Sequence, residues 1–177
     1  RGYGRAVTAA ALGRAGGRTV GLDGVVAQQD NYRASGAVYA HRNRRYQGQG
    51  GGARPDGLVD LERVPWEQVL AYDGPCFGAP RPEFLRCWLN QPGHLGLAAR
   101  DQGRLAGYGV LRPCRTGFKV GPLFANTPGQ ARAIFQGLIG AAPGQPVFLD
   151  TPELNPAAVE LAEAHGMTMC FETARMY

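Results

Sequence analysis

An internal repeat constrains the fold of this 177-residue chain more than any other feature of the sequence. Each copy has an apolar stretch ending in Leu-Asp, then a segment of helical composition ending in glycine, then an arginine nine residues beyond that glycine. The matching positions are Leu22-Asp23 with Leu149-Asp150, Gly36 with Gly166, and Arg45 with Arg175. The pattern predicts the same strand–helix–strand unit twice, and therefore an α/β protein built by duplication.

The first six residues form a candidate anion-binding turn. Arg1-Gly2-Tyr3-Gly4-Arg5-Ala6 combines small residues, which permit a tight turn, with two arginines, and a run of good helix formers follows from Ala6. Because the first N–H groups of a helix have no partner within it, such a turn suits a phosphate or pyrophosphate. Short Gly/Arg stretches are common in a chain this rich in both, so an ordinary loop before a helix is the alternative.

The predicted elements form an incomplete set and a complete set on either side of a glycine-rich segment. Residues 1–46 predict a loop, helix, strand, helix and strand, which bury too little apolar surface to fold alone. Residues 47–57 have the composition of a flexible linker, and residues 58–177 predict a strand, two helices, three strands, a helix, a strand, a helix and a strand. The predicted bounds are 18–23, 37–42 and 58–64 for early strands, 6–14, 26–34 and 66–72 for early helices, and 73–81 for a loop. Because the chain begins inside a motif, we expect it to be truncated at its N-terminus, with a half-sheet that favours association.

The uneven distribution of charge narrows the classes of partner. Residues 1–54 carry nine arginines against Asp23 and Asp30, a net charge of +7, whereas the remainder carries −2. An anionic partner is therefore expected near the N-terminal segment. Nucleic acid is the weaker candidate, because no alternation of arginine with aromatic residues and no recognition-helix pattern accompanies the charge.

Several other classes of site and location are disfavoured by the sequence. No apolar run approaches the roughly 18–20 residues of a membrane span, and no signal-peptide segment is present. The four cysteines include no C-x-x-C pair, and the three histidines are far apart without ligand spacing. We therefore expect a cytoplasmic protein with reduced thiols, no metal site and no membrane partner.

Motifs at both ends of the chain resemble a known superfamily. Arg1-x-x-Gly4-x-Ala6 resembles the Arg/Gln-x-x-Gly-x-Gly/Ala pattern of the GCN5-related N-acetyltransferases (GNAT), and residues 31–37 resemble their Leu-Tyr-Glu-Lys-x-Gly-Phe signature, with Ala37 in place of Phe. The C-terminal residues 171–177, Phe-Glu-Thr-Ala-Arg-Met-Tyr, resemble the end of YitH-type two-domain acetyltransferases. The resemblance implies a GNAT fold, a mixed central sheet with flanking helices: residues 1–46 would be the second half of one domain and 58–177 a complete second domain.

The same resemblance implies a reaction and a set of site residues. Acetyl-CoA would be the acyl donor, and the amine of a small molecule would be the acceptor. Residues 1–6 would hold the pyrophosphate, Asn31 would contact the pantetheine, and Tyr32 would donate a proton to the leaving thiolate. A packing role for Tyr32 and a plain surface role for Asn31 are the alternatives.

The two copies differ at the positions that would carry this chemistry. At the position of Tyr32 the second copy has Ala162, and at the position of the N-terminal turn it has residues 126–131, without the glycine spacing. The second copy is therefore predicted to be degenerate as a catalyst, and the chain alone to have little or no turnover. A non-catalytic module that binds a small ligand is the alternative function.

A few further polar residues are candidates for structural roles. They are Asp73, Arg81, Glu153 and Glu172. The resemblance would place these residues toward an acceptor cleft, although each is more typical of a charge that stabilises the fold. Asp23 and Asp150 end equivalent strands, which favours a shared structural role such as capping the next helix.

Overall fold

The computed structural model describes residues 3–177, with Arg5 described by its backbone alone. Of the predicted anion-binding turn, Arg1, Gly2 and the side chain of Arg5 therefore lie outside the described residues. The helices in the described part are α1 (Tyr3–Gly13), α2 (Gln29–Arg33), α3 (Trp66–Phe77), α4 (Pro82–Leu89), α5 (Pro128–Gly140) and α6 (Pro156–Ala164). The strands are β1 (Leu22–Val25), β2 (Tyr39–Gln49), β3 (Val59–Asp60), β4 (Leu95–Asp101), β5 (Arg104–Pro113), β6 (Phe118–Ala125), β7 (Pro146–Pro152) and β8 (Thr168–Met176).

All eight strands belong to one mixed sheet, in the order β1-β8-β2-β7-β6-β5-β4-β3. Neighbouring strands run antiparallel except β6 and β7, which are parallel. The predicted mixed sheet with flanking helices is confirmed. Two separate sheets are not seen among the described residues, since the sheet continues across the predicted boundary at residues 47–57.

The segment predicted as a flexible linker is partly ordered against the second copy. Residues 47–49 continue strand β2, so the predicted linker begins three residues too early. The N–H of Gly50 donates to the carbonyl of Gln145 at 2.8 Å, and the N–H of Gly51 donates to the carbonyl of Ile139 at 2.8 Å. A Cβ at Gly50 would lie only 2.0 Å from the carbonyl oxygen of Ala142, so this close approach requires glycine.

The two copies exchange their last strands. β2, the last strand of the first copy, lies between β8 and β7, and β8, the last strand of the second copy, lies between β1 and β2. Each copy's last strand therefore pairs with the Leu-Asp strand of the other copy. Neither copy could fold alone in this arrangement, because each would lack a strand from the middle of its sheet.

The register of these strands follows an approximate two-fold symmetry. Asp23 lies opposite Arg175 in the β1–β8 pair, and Asp150 lies opposite Arg45 in the β7–β2 pair. In the central β2–β8 pair, Asn43 lies opposite Thr173, which is the position where the symmetry exchanges the two strands. The sequence repeat is thus present in the hydrogen-bond register as well as in the order of elements.

Helices cover the two faces of the sheet unevenly. On the back face, α5 and α6 pack against the sheet, and Ile134, Phe135 and Leu138 of α5 are buried, as their predicted helical spacing indicated. On the front face, α3 packs against β5 and the ring of Tyr108 is fully buried. Because Leu149 belongs to the back-face core, side-chain alternation places its neighbour Asp150 on the front face.

Several predicted bounds are wrong for identifiable reasons. The loop predicted at 73–81 continues helix α3 to Phe77, because the helix ends only where Gly78 adopts a left-handed conformation (φ 91°). The strand predicted at 58–64 is limited to Val59–Asp60, followed by a short 3₁₀ turn at Leu61–Arg63. The strand predicted at 18–23 lies at 22–25, and that at 37–42 extends to residue 49. Within residues 3–177, no helix has both the length and the apolar character needed to cross a membrane.

Candidate active site

The structure confirms that Tyr32 and Ala162 are equivalent positions. Each lies in the last turn of its helix, and each carbonyl accepts an N–H from five residues further on: Ala37 donates to Tyr32 at 3.0 Å and Met167 donates to Ala162 at 3.1 Å. Gly36 and Gly166 provide the positive φ of this turn, at 94° and 66°. A difference between the two side chains is therefore a difference at one structural position.

The surroundings of the two side chains differ sharply. Ala162 is fully buried in the back-face core, whereas Tyr32 is half-buried and its ring lies over the backbone of Gly24 on β1. A Cβ at Gly24 would lie 2.2 Å from Cε2 of the Tyr32 ring. Only glycine at this position lets the ring approach the strand so closely, and no motif in the sequence predicted this contact.

The predicted anion-binding turn is helical in its described part. Tyr3, Gly4 and Ala6 belong to the first turn of α1 instead of preceding the helix, so the helix begins three residues earlier than predicted. The N–H groups of this turn are those that an α-helix leaves without internal partners. Tyr3 is 85% exposed and nothing lies within 4 Å of a Cβ placed at Gly4, so this end of the helix is open to a ligand.

Asn31 is exposed and makes a local contact. Its amide nitrogen donates to the side-chain oxygen of Gln28 at 2.5 Å, within the same helical segment. This contact leaves the side chain on the surface of the first copy, and its predicted contact with a pantetheine stays a prediction.

In the second copy, a side chain of the segment equivalent to the predicted anion-binding turn caps its helix. At the start of α5, Oγ1 of Thr127 accepts the N–H of Gln130 at 3.2 Å and caps the helix. This cap fits the predicted degeneration of the second copy.

The two repeat aspartates form ion pairs across the copies and do not cap helices. Oδ2 of Asp23 accepts from Arg175 at 2.7 Å, and its Oδ1 accepts from Asn43 at 2.6 Å. Asp150 accepts from Arg45 at 2.7 and 2.9 Å and also from Lys119. The predicted capping role is wrong, because the N-cap of α6 is Asn155 and neither aspartate lies at a helix start. Their shared structural role is to tie strands together.

These ion pairs line a polar cleft of about 530 Å³ on the front face. Burial raises the pKa of Asp150, but the hydrogen bonds from Arg45 and Lys119 outweigh that effect and leave the pKa below its usual value. Each carboxylate in the cleft is paired with an arginine, and Lys119 gives the cluster around Asp150 a net positive charge.

Three of the four candidates on the acceptor side, Asp73, Arg81 and Glu153, have structural contacts. Asp73 is fully buried, accepts two hydrogen bonds from Arg81 at 2.8 and 2.7 Å, and accepts a third from the hydroxyl of Tyr108. Burial raises the pKa of Asp73, but the hydrogen bonds of Arg81 and Tyr108 lower it below the usual value overall. Glu153 accepts from the Tyr39 hydroxyl at 3.1 Å and from the backbone N–H of Arg42 at 2.7 Å. Among residues 3–177, no cluster of three or more potential metal ligands is found.

Comparisons with known proteins identify the family. The sequence model of a family described as acetyltransferase (GNAT) domain matches residues 69–177. The chain is similar to holothin acyltransferase of Pseudoalteromonas sp. (strain SANK 73390), with 27% identity over 180 residues that cover 100% of this chain and 61% of the relative.

Solved structures agree with this match. A protein named as a candidate acetyltransferase from Pyrococcus horikoshii superposes with a TM-score of 0.80 and 26% identity, covering 99% of this chain and 59% of that chain. A GCN5-related N-acetyltransferase from Kribbella flavida superposes with a TM-score of 0.64 and 16% identity over 99% of this chain and 47% of its own, a likeness of fold alone. The chain thus spans less than two thirds of each of these relatives. On the family match, which covers more than half of its residues, the chain belongs to the GNAT acetyltransferases.

Proposed function

We propose that the protein transfers an acetyl group from acetyl-CoA to the amine of a small molecule. In this proposal the first copy binds the donor, and the second copy, as in the YitH-type arrangement, has no chemistry of its own. The observation that carries the proposal is the contrast at one structural position: a half-buried Tyr32 in the first copy and a fully buried Ala162 in the second.

The chemistry depends on the groups around β1. The amine nitrogen attacks the thioester carbon, the carbon–sulfur bond breaks, and the coenzyme leaves as a thiolate. Tyr32 donates its proton to that thiolate, and the acetylated nitrogen loses a proton to solvent. The N–H groups in the first turn of α1 would hold the pyrophosphate, together with Arg1, Gly2 and Arg5. Positioning of the two reactants supplies most of the remaining rate.

A substitution of Tyr32 tests the proposal in the whole protein. Tyr32→Phe removes the proton donor but keeps the ring over Gly24, so we expect thiol release to slow by about 10²-fold with little change in the KM for acetyl-CoA. Tyr39→Phe is the matched control, because Tyr39 is an exposed tyrosine of the same copy whose hydroxyl contacts Glu153. Unchanged thiol release in Tyr32→Phe would remove Tyr32 from the mechanism.

The same thiol-release assay can identify the acyl group that is transferred and the acceptor that receives it. The relative from Pseudoalteromonas is named holothin acyltransferase, a name that does not limit the donor to acetyl, so donors with longer acyl chains are tested beside acetyl-CoA, with holothin among the acceptors. Transfer of a longer chain in preference to acetyl would revise the donor while leaving the proposed role of Tyr32 intact.

A binding module without turnover is the second candidate. It is favoured by one observation, that the family match at residues 69–177 covers the copy lacking the tyrosine. Such a module would gain thermal stability from acetyl-CoA or from an amine without releasing thiol from any donor and acceptor pair.

A further inference from the structure

We infer that the degenerate second copy completes the active site of the first, and that Arg175 is the positioning residue through which it does so. This inference rests on the proposed role of Tyr32. It explains why a copy without catalytic groups is built into the same sheet as the copy that retains them.

The position of β1 depends on β8, a strand of the second copy. β1 has four residues, and within residues 3–177 its only strand neighbour is β8. An edge strand this short has few backbone hydrogen bonds to hold it. The guanidinium group of Arg175 reaches across from β8 to Asp23 at 2.7 Å, so it ties β1 to β8 from the side chains as well.

Arg175 also lies against the residue that precedes β1. Besides its bond to Asp23, its Nη1 lies 3.4 Å from where a Cβ of Gly21 would be. Its guanidinium carbon is 5.8 Å from the centre of the Tyr177 ring, and that ring also lies against Gly21. The side chain is therefore aligned with the strand and not directed into solvent.

β1 is in direct contact with the ring of Tyr32. Gly24, the residue after Asp23, lies directly beneath the tyrosine ring and pairs with the fully buried Ala174 of β8. Because ring and strand are in close contact, a displacement of β1 displaces the ring. A displacement of about 1 Å at a catalytic group can lower a rate by about 10²-fold.

The symmetry of the protein provides a matched control. Arg45 pairs with Asp150 as Arg175 pairs with Asp23, with the same 2.7 Å distance and at the equivalent register. Side-chain exposure is also similar, at 37% for Arg45 and 30% for Arg175. The two pairs differ in their hydrogen bonds, since Arg45 donates two to Asp150 and Arg175 donates one to Asp23. They also differ in the strand that each one anchors, because Tyr32 lies over β1. Loss of the Arg45 pair should therefore cost at least as much stability, but only loss of the Arg175 pair should affect the reaction.

The experiment compares Arg175→Gln with Arg45→Gln in the whole protein. We expect both variants to melt within a few degrees of each other. We expect kcat for thiol release to fall by about 10- to 100-fold in Arg175→Gln and by less than about twofold in Arg45→Gln, and Arg175→Lys to recover part of the loss. In a Tyr32→Phe background, Arg175→Gln should have little further effect, because both changes act on the same step. Equal rate losses in the two glutamine variants, or additive losses with Tyr32→Phe, would overturn the inference.

A second measurement separates this inference from the proposed function. With 3-fluorotyrosine incorporated, the ¹⁹F resonance of residue 32, assigned by its absence in Tyr32→Phe, should shift in Arg175→Gln and stay in place in Arg45→Gln. That result supports the positioning role even if no donor and acceptor pair reacts, in which case only the proposed function fails. An unmoved resonance in Arg175→Gln refutes the positioning role even if the enzyme is active.

Discussion

The strongest test of the fold is the removal of one buried carboxylate, by Asp73→Ala. The side chain of Asp73 is 1% exposed and that of its partner Arg81 is 16% exposed. Removing the carboxylate leaves the guanidinium group and the fully buried Tyr108 hydroxyl without their shared partner. Breaking a buried ion pair by deleting one partner costs about 3–5 kcal/mol of the roughly 5–15 kcal/mol that stabilise a domain.

The comparison variant is Asp150→Ala, which also deletes a carboxylate bonded twice to an arginine. Asp150 and its partner Arg45 are both 37% exposed, but Asp150 also pairs with Lys119, which is 19% exposed, so water replaces only part of what is lost. The expected cost is about 1 kcal/mol, the upper end of the range for exposed pairs. Urea denaturation at pH 7 measures the difference, provided the m-values agree. In thermal melts we expect Asp73→Ala to lower Tm by about 6–20 °C. Equal losses in the two variants would show that burial does not decide the strength of these pairs.

Two further predictions concern close packing and pH. Gly24→Ala should destabilise the protein by about 1–3 kcal/mol and slow thiol release, because the new Cβ collides with the Tyr32 ring. No atom lies within 4 Å of a Cβ placed at Gly74, so Gly74→Ala should stabilise helix α3 by about 0.5–1 kcal/mol in the same denaturation assay. Below pH about 4 Tm should fall, because the lowered pKa of Asp73 gives stability that is lost as the pH falls through its folded value, and Asp73→Asn should weaken this dependence. Above pH about 10 Tm should fall again, because burial raises the pKa of Tyr72 to about 12 and the unfolded chain loses that proton first. A Tm that does not change at low pH would contradict the role given to Asp73, and one that does not change at high pH would contradict that given to Tyr72.

The sequence predicted the elements better than it predicted their pairing. The repeat correctly aligned Tyr32 with Ala162, as the equivalent hydrogen bonds at the two helix ends show. The strand exchange was not predicted, because the alternation of side chains along β2 is the same whether it pairs within its own copy or with β7. Pairing between residues this far apart in the chain is set by the whole sheet and not by local composition.

The sequence contains one signal of the exchange. The repeat matches acid with acid and base with base, so Asp23 and Asp150 are equivalent, as are Arg45 and Arg175. Two aspartates and two arginines on strands of one sheet can form two ion pairs either within the copies or across them. The structure has the ion pairs across the copies. Only the pairing register of the strands, which places each aspartate opposite the arginine of the other copy, distinguishes this arrangement from pairs within each copy.

Contacts that depend on the absence of a side chain were the hardest to predict. Gly24 and Gly50 have ordinary neighbours in the sequence, yet each permits an approach that any Cβ would block. The end of α3 was misjudged for a related reason, since Gly74 and Pro75 are typical of loops but lie here in a helix that Gly78 terminates. A proline near the end of a helix removes one hydrogen bond, which packing against the sheet can offset.

The exchange of strands also explains how the two copies could diverge without separating. Ala162 is fully buried among the back-face side chains, so the second copy has no room for a tyrosine at that position. A larger side chain there would have to displace the back-face core. Under the proposed function, the second copy could lose its chemistry while β8 remained necessary to the first, because β1 has its strand neighbour there. Selection on the proposed active site would then act on β8 as well, and most directly on Arg175.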